Sequence, residues 1–251
     1  MARILGLGWD VGGWMGSKQG IAACQFDTLS NEFKWVGQPQ NEKIIDHNDW
    51  MPGKILQLLD PEASLDDFVV IVIAMDASLG FPIEYKKLVN NESTSIEKPS
   101  KDIFNPYAYR ETERHIYKMF SKKPLSAPFD KLGNNATLAI SYANHWTQNQ
   151  NFNIHPQQGH KADSRVIIEV YPALIKSYEL LHLQQKILAL IPEVVQKNTD
   201  AYDAAICAIL ALLYAGNGEI IENITLSDPC INLEIAKEEG WIYYPMKRDV
   251  D

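Results

Sequence analysis

The run "FVVIVIAMD" at residues 68–76 restricts the possible folds more than any other stretch of this chain. An unbroken apolar, β-branched segment of this length reads as a strand with both faces buried. Such a strand belongs in the middle of a sheet covered on each side by helices. "SRVIIEVYP" (164–172) reads as a second buried strand, stopped by Pro172. "TDAYDAAICAILALLYAGNG" (199–218) supplies a long helix with an acidic start and a Gly/Asn stop.

Around this centre the remaining elements fall into order. Residues 3–11, 19–26 and 32–37 read as three strands joined by short turn-rich links, as in an antiparallel meander. A short helix is expected within 48–60, capped by Asn48 or Asp49 and weakened by Gly53. Residues 77–107, rich in Pro, Asn, Ser and Lys, read as loop, and 109–120 and 134–148 as helices. "GWIYYP" (240–245) is a candidate last strand. The expected architecture is α/β: a mixed sheet, three antiparallel strands then parallel ones, with flanking helices. No linker divides residues 1–251, so a single domain is expected, with 77–163 as an insertion or lid between the last two core strands.

Composition sets outer bounds. A hydrophobic content of 46% suits a folded globular chain, and no apolar run approaches the roughly 20 residues that span a bilayer. The first residues read as a core strand, because Asp10 follows where a signal peptide would show small residues. Cys24, Cys207 and Cys230 lie far apart, which argues against a disulfide framework or zinc ribbon and fits the reducing cytoplasm. A net charge of −9 opposes coating nucleic acid through the whole surface. It is compatible with a local basic groove, or with an acidic site that holds divalent cations.

Acids recur at one kind of position. Asp10 ends the first strand, Asp76 ends the apolar run, and Glu169 lies near the end of "RVIIEV". Ligands of open α/β sheets bind beyond the carboxyl ends of strands, so three neighbouring strands could gather these carboxylates into one cleft. Asp200 and Asp203 open the long helix and share a face. Clustered carboxylates repel unless cations neutralise them, and hard oxygen donors suit Mg²⁺ or Mn²⁺. Two such ions about 4 Å apart activate water and stabilise the leaving oxygen in phosphodiester hydrolysis. Each acid also has a plainer reading. Asp10 before Gly12-Gly13 can shape a turn, and Asp200 with Asp203 can simply start a helix. Glu169 and Asp76, each in an apolar strand, resist that reading, since a buried charge needs a partner.

"GWDVGG", "IAMDASLGFP", "YRETERHIYK", "IIEVYPALI", "DAYDAAICAILALLYA" and "EGWIYYP", in this order, resemble domain-of-unknown-function family 429. That family is described as predicted nucleases with an RNase H-like, RuvC-resolvase-type fold. The blocks span residues 4–245. The resemblance implies a metal site at Asp10, Asp76, Glu169 and Asp203 with Asp200 assisting, two Mg²⁺ or Mn²⁺ ions, and DNA or RNA as substrate. It also marks Arg110, Glu113 and Arg114 as substrate-binding. Trp14 and Met15 depart from the small residues expected after Asp10.

Arg110, Arg114 and Lys118 recur at four-residue steps, which would form a basic stripe able to hold a phosphate backbone. The same stripe can equally be a solvated face paired with Glu111 and Glu113. Trp9, Trp14 and Trp35 could stack bases, although strand aromatics usually pack in cores. "HPQQGH" (155–160) is a weak zinc candidate. Two further functions remain open: a phosphotransferase of the actin and sugar-kinase type, with "DVGG" and "DASLG" as phosphate loops, and a catalytically silent binding scaffold. The kinase reading lacks a glycine-rich loop before the last helix.

Overall fold

A computed structural model of the chain describes residues 3–16, 18–92, 97–129, 132–160, 162–176, 181–216 and 218–248. The β-branched strand is β5 (Val70–Asp76), central in a mixed sheet. Strands β1 (Arg3–Asp10), β2 (Gln19–Asp27) and β3 (Glu32–Trp35) form the antiparallel meander. The order across the sheet is β3-β2-β1-β5-β7-β6, with β7 (Arg165–Val170) and β6 (Asn153–Ile154) parallel to β5. β4 (Gln40–Glu42) pairs with β2, and β9 (Ile242–Tyr243) with the end of β7. The expected α/β class and the antiparallel-then-parallel mixed sheet are therefore present.

Helices cover both faces. On one side α1 (Pro52–Leu59) and α4 (Leu132–Gln150) pack over Leu5, Leu7, Trp9, Ile71, Ile73 and Ile167. Trp9 is fully buried there against Trp50, Tyr142 and Trp146, so it is core and has no surface to stack a base. Because α4 is part of this layer, only some of the 77–163 stretch lies outside the core.

On the other side runs α7 (Asp200–Gly216), buried on nearly every side. It lies unusually close to the sheet because β1 presents glycine there. A Cβ on Gly8 would stand 2.0 Å from the Ala204 carbonyl oxygen, and one on Gly6 2.3 Å from that of Ala208. Across the register, Gly20 of β2 makes the same room under the Asp200 carbonyl. The small side chains of β1 and β2 thus fix where the first turn of α7 sits, directly beside Asp10.

Several short elements depart from expectation. α1 begins at Pro52, later than the Asn48/Asp49 cap, because proline suits a first helical position. Pro172 ends the strand and also opens α5 (Pro172–Ile175). The expected loop 77–107 contains α2 (Ile83–Val89), and α6 (Leu181–Leu188) follows α5. Beyond α7 come β8 (Ile224–Leu226), α8 (Leu233–Glu239) and β10 (Pro245–Lys247), which pairs with β8. Among the described residues, no helix is long and apolar enough to cross a membrane.

Candidate active site

At the carboxyl ends of β1, β5 and β7 lies a cavity of about 250 Å³ whose lining includes Asp10, Asp76, Glu113, Asn135, Glu169 and Tyr171. Asp10 and Asp76 are register partners on adjacent parallel strands, so their side chains leave the same face side by side. That face is the one α7 covers. Among the described residues, neither carboxylate accepts a hydrogen bond. Burial, then the neighbouring Asp76, Asp203 and Asp200, push Asp10 up to about 9. Burial and Asp203 push Asp76 up to about 7. Two half-buried acids that repel each other and lack donors hold a proton at neutral pH unless a cation joins them.

The charge of Asp203, on the first turn of α7, acts on this pair, but both of its oxygens accept from Lys176 Nζ, at 2.8 and 2.9 Å. Lys176 follows α5 directly and lowers the pKa of both Asp10 and Asp76. Asp200 is exposed, and the cap of α7 is Thr199, whose hydroxyl accepts from the Tyr202 amide at 3.3 Å. The buried Cys207, one turn along α7, lies near enough that its thiol is raised by burial and then by Asp76, Asp10 and Asp203.

Glu169 has different surroundings. It pairs with Met75, not Asp76, so it projects toward the opposite face from the aspartates. There the fully buried Arg110 grips it with both terminal nitrogens, Nη1 donating to Oε2 at 2.8 Å and Nη2 to Oε1. The Leu79 amide also donates to Oε2 at 2.8 Å. Arg110 Nε donates to Glu113 Oε1 at 2.7 Å, and its backbone amide to Glu113 Oε2 at 2.6 Å. Nη1 further donates to the Glu239 carbonyl at 3.0 Å. Burial alone would lower the guanidinium pKa, but Glu113 and Glu169 raise it above its usual value. The Glu239 side chain accepts from the first amides of α2 and α3 (Glu111–Phe120), which ties this network to both helices.

The expected basic stripe is therefore absent. Arg110 precedes α3 in an extended conformation, so its side chain leaves the helical face and turns inward. Arg114 is partly exposed and bonded to Glu111 and the Tyr109 carbonyl, and Lys118 is exposed. His155 of "HPQQGH" is buried against Tyr214 and Asp163. Among the described residues, no group of three or more His, Cys, Asp or Glu side chains stands arranged to hold a metal ion.

In the loop after Asp10, the Gly12 amide donates to Gln19, that of Trp14 to Asn134, and that of Gly16 to the Gly13 carbonyl. Amides engaged in this way are not free to cradle a phosphate. Trp14 and Met15, which stand in this loop, are exposed. Compared with known proteins, the chain matches no family model, no curated protein and no solved structure.

Proposed function

We propose that the protein is a Mg²⁺- or Mn²⁺-dependent nuclease of RNase H-like fold, hydrolysing phosphodiester bonds of DNA or RNA. The observation that carries this reading is the Asp10–Asp76 pair: adjacent strand-end carboxylates, without donors among the described residues, with raised pKa values, lining one cavity. Two further features support it. The sheet order and the D-x-x-D start of α7 agree with the resemblance to domain-of-unknown-function family 429. The donor set also fits a hard divalent ion, since it offers carboxylate oxygens alone.

In this reading Asp10 and Asp76 are the ligands, and Asp203 and Asp200 add negative charge from α7. A bound divalent ion would activate a water and stabilise charge on the phosphodiester oxygens. Glu169 and Glu113 act through Arg110 to hold the cavity wall and the loop at Leu79. The phosphotransferase reading draws less support, because no glycine-rich loop precedes α7 and three amides of the loop after Asp10 are already engaged.

The test is cleavage of single-stranded, duplex and branched DNA and RNA with Mg²⁺ or Mn²⁺, by wild-type protein and by Asp10→Asn. Wild-type cleavage that falls by orders of magnitude in the variant is the expected result. Equal cleavage by both proteins would remove Asp10 from the chemistry, and no cleavage of any substrate would favour a binding scaffold.

A further inference from the structure

The charged residues that line the cavity are all acidic: Asp10, Asp76, Glu113 and Glu169. The buried Arg110 behind them offsets only one of these charges. At the start of α7, Asp200 and Asp203 outnumber Lys176. A phosphodiester is itself an anion, and its binding depends on protein cations that neutralise backbone phosphates. Most cations of the surrounding elements are already paired with acids. Arg110 is held by Glu113 and Glu169, Arg114 by Glu111, Lys123 by Asp102 and Lys176 by Asp203.

At the rim of this cavity the exception, among the described residues, is Lys122. Its Nζ donates to the Ala173 carbonyl at 3.0 Å and stands 6.0 Å from the centroid of the Tyr171 ring, at the outer limit of cation–π attraction. Both partners are neutral, and both Ala173 and Tyr171 line the cavity. Local geometry explains the placement. Ser121, in the left-handed conformation, ends α3 and turns the chain, and Pro124 and Leu125 just beyond Lys122 line the same cavity. Ser126 anchors the segment, its hydroxyl donating to the Ala108 carbonyl at 2.7 Å and accepting from the Phe129 amide at 3.2 Å. The half-buried ammonium is held in place by groups that leave its charge uncompensated.

We propose that Lys122 is a phosphate-contact residue, whose ammonium binds a phosphodiester of the nucleic-acid backbone next to the bond that is cleaved. The proposal rests on the nuclease reading above and names the residue that grips the strand. An ammonium carries three donors, and the Ala173 carbonyl takes one, which leaves two for phosphate oxygens. A bond from ammonium to phosphate is charge-assisted on both sides, so it outweighs the bond to a neutral carbonyl. The plainer role is a tie between the segment after α3 and the short α5. That role needs a donor and no charge, so glutamine can meet it. Phosphate binding needs the charge, so arginine can meet it and glutamine cannot.

The experiment measures binding of fluorescein-labelled single-stranded and duplex oligonucleotides to the full chain by fluorescence anisotropy, across a salt series. Ca²⁺ replaces Mg²⁺, and gel electrophoresis establishes that the probe stays intact. Lys122→Ala and Lys122→Gln should both bind more weakly than wild type, with a salt slope lower by about 0.7 on single strands or about 0.9 on duplex. Lys122→Arg should keep the wild-type slope. A wild-type slope in Lys122→Ala, or in Lys122→Gln alone, would overturn the proposal and leave the nuclease reading standing. A wild type that binds no oligonucleotide would overturn the nuclease reading, and this proposal with it. Circular dichroism of each variant establishes that it is folded before its binding is measured.

Discussion

Two pairs of acids meet in one cavity and live under opposite conditions. Glu113 and Glu169 are buried but saturated: an arginine fork, a backbone amide for each, and no free oxygen facing water. Asp10 and Asp76 are less deeply buried but have no donors at all among the described residues. Carboxylates whose oxygens are all engaged by a guanidinium and amides build structure, although one Arg110 offsets only one of the two negative charges. Burial still pushes the Glu113 carboxyl above its usual range. An unsatisfied pair stores repulsion that only a proton or a cation relieves. The difference separates the part of the cavity that holds the fold from the part poised to bind.

The sharpest way to break this comparison is to remove the arginine. Arg110→Met leaves Glu113 and Glu169 buried without their cation, so the fold should lose about 3–5 kcal/mol. Chemical denaturation measures this directly. A loss of under about 1 kcal/mol, the range of an exposed pair, would show that the fork is not what holds these acids.

A smaller effect should come from the aspartates, and with the opposite sign. Folding raises Asp10 to about 9 and Asp76 to about 7, from 3.8 for both. The native state then binds protons that the unfolded chain has released, so the contribution of these two groups to metal-free stability is fully present below about pH 3.8 and is lost as pH rises through 7 to 9. Asp10→Asn should flatten the upper part of that decline and raise stability at pH 8 by about 1–2 kcal/mol. Mn²⁺ should stabilise the wild type more at pH 8 than at pH 5, since at pH 5 protons compete for the same oxygens. Thermal unfolding across pH, with and without Mn²⁺, checks both signs. A metal-free wild type with no decline between pH 5 and pH 9 would mean that neither burial nor the neighbouring acids raise these two aspartates.

Sequence revealed the poised pair more readily than the saturated one, for a geometric reason. Asp10 and Asp76 each end an apolar strand, and the length of the run alone places them at its carboxyl end. What Glu169 faces depends on register: it pairs with Met75, one residue before Asp76, and a shift of one residue turns a side chain to the other face. No pattern within "RVIIEV" specifies that offset. Arg110 was equally hidden, because its spacing from Arg114 suggests a shared helical face while its backbone lies outside the helix. Lys176 carried a faint signal, a lone charge directly after the apolar "YPALI", but nothing local connects it to Asp203. The mixed sheet, antiparallel strands followed by parallel ones, was legible from the meander and the two buried strands. The short elements α2, α6, α8, β4 and β6 were not, since a segment of a few residues has too few turns or alternations to show a period.

The smallest expected effect sharpens the comparison from outside. Arg114 resembles Arg110 in spacing and in pairing with an acid three residues away, Glu111, yet its side chain is 22% exposed and that of Glu111 40%. Water screens this pair, and both side chains lose rotamer freedom when they meet, so the net contribution is small. Arg114 also donates to the Tyr109 carbonyl at 2.8 Å, a bond that water can replace at this partly open position. Arg114→Ala should therefore change stability by about 0–1 kcal/mol, several times less than Arg110→Met in the same denaturation assay. If Arg114 also grips substrate phosphate, the variant should bind single-stranded DNA more weakly, with a salt slope lower by about 0.7. An unchanged salt slope would assign Arg114 to the solvated face of α3 alone. A stability loss as large as that of Arg110→Met would show that burial does not separate the two arginines.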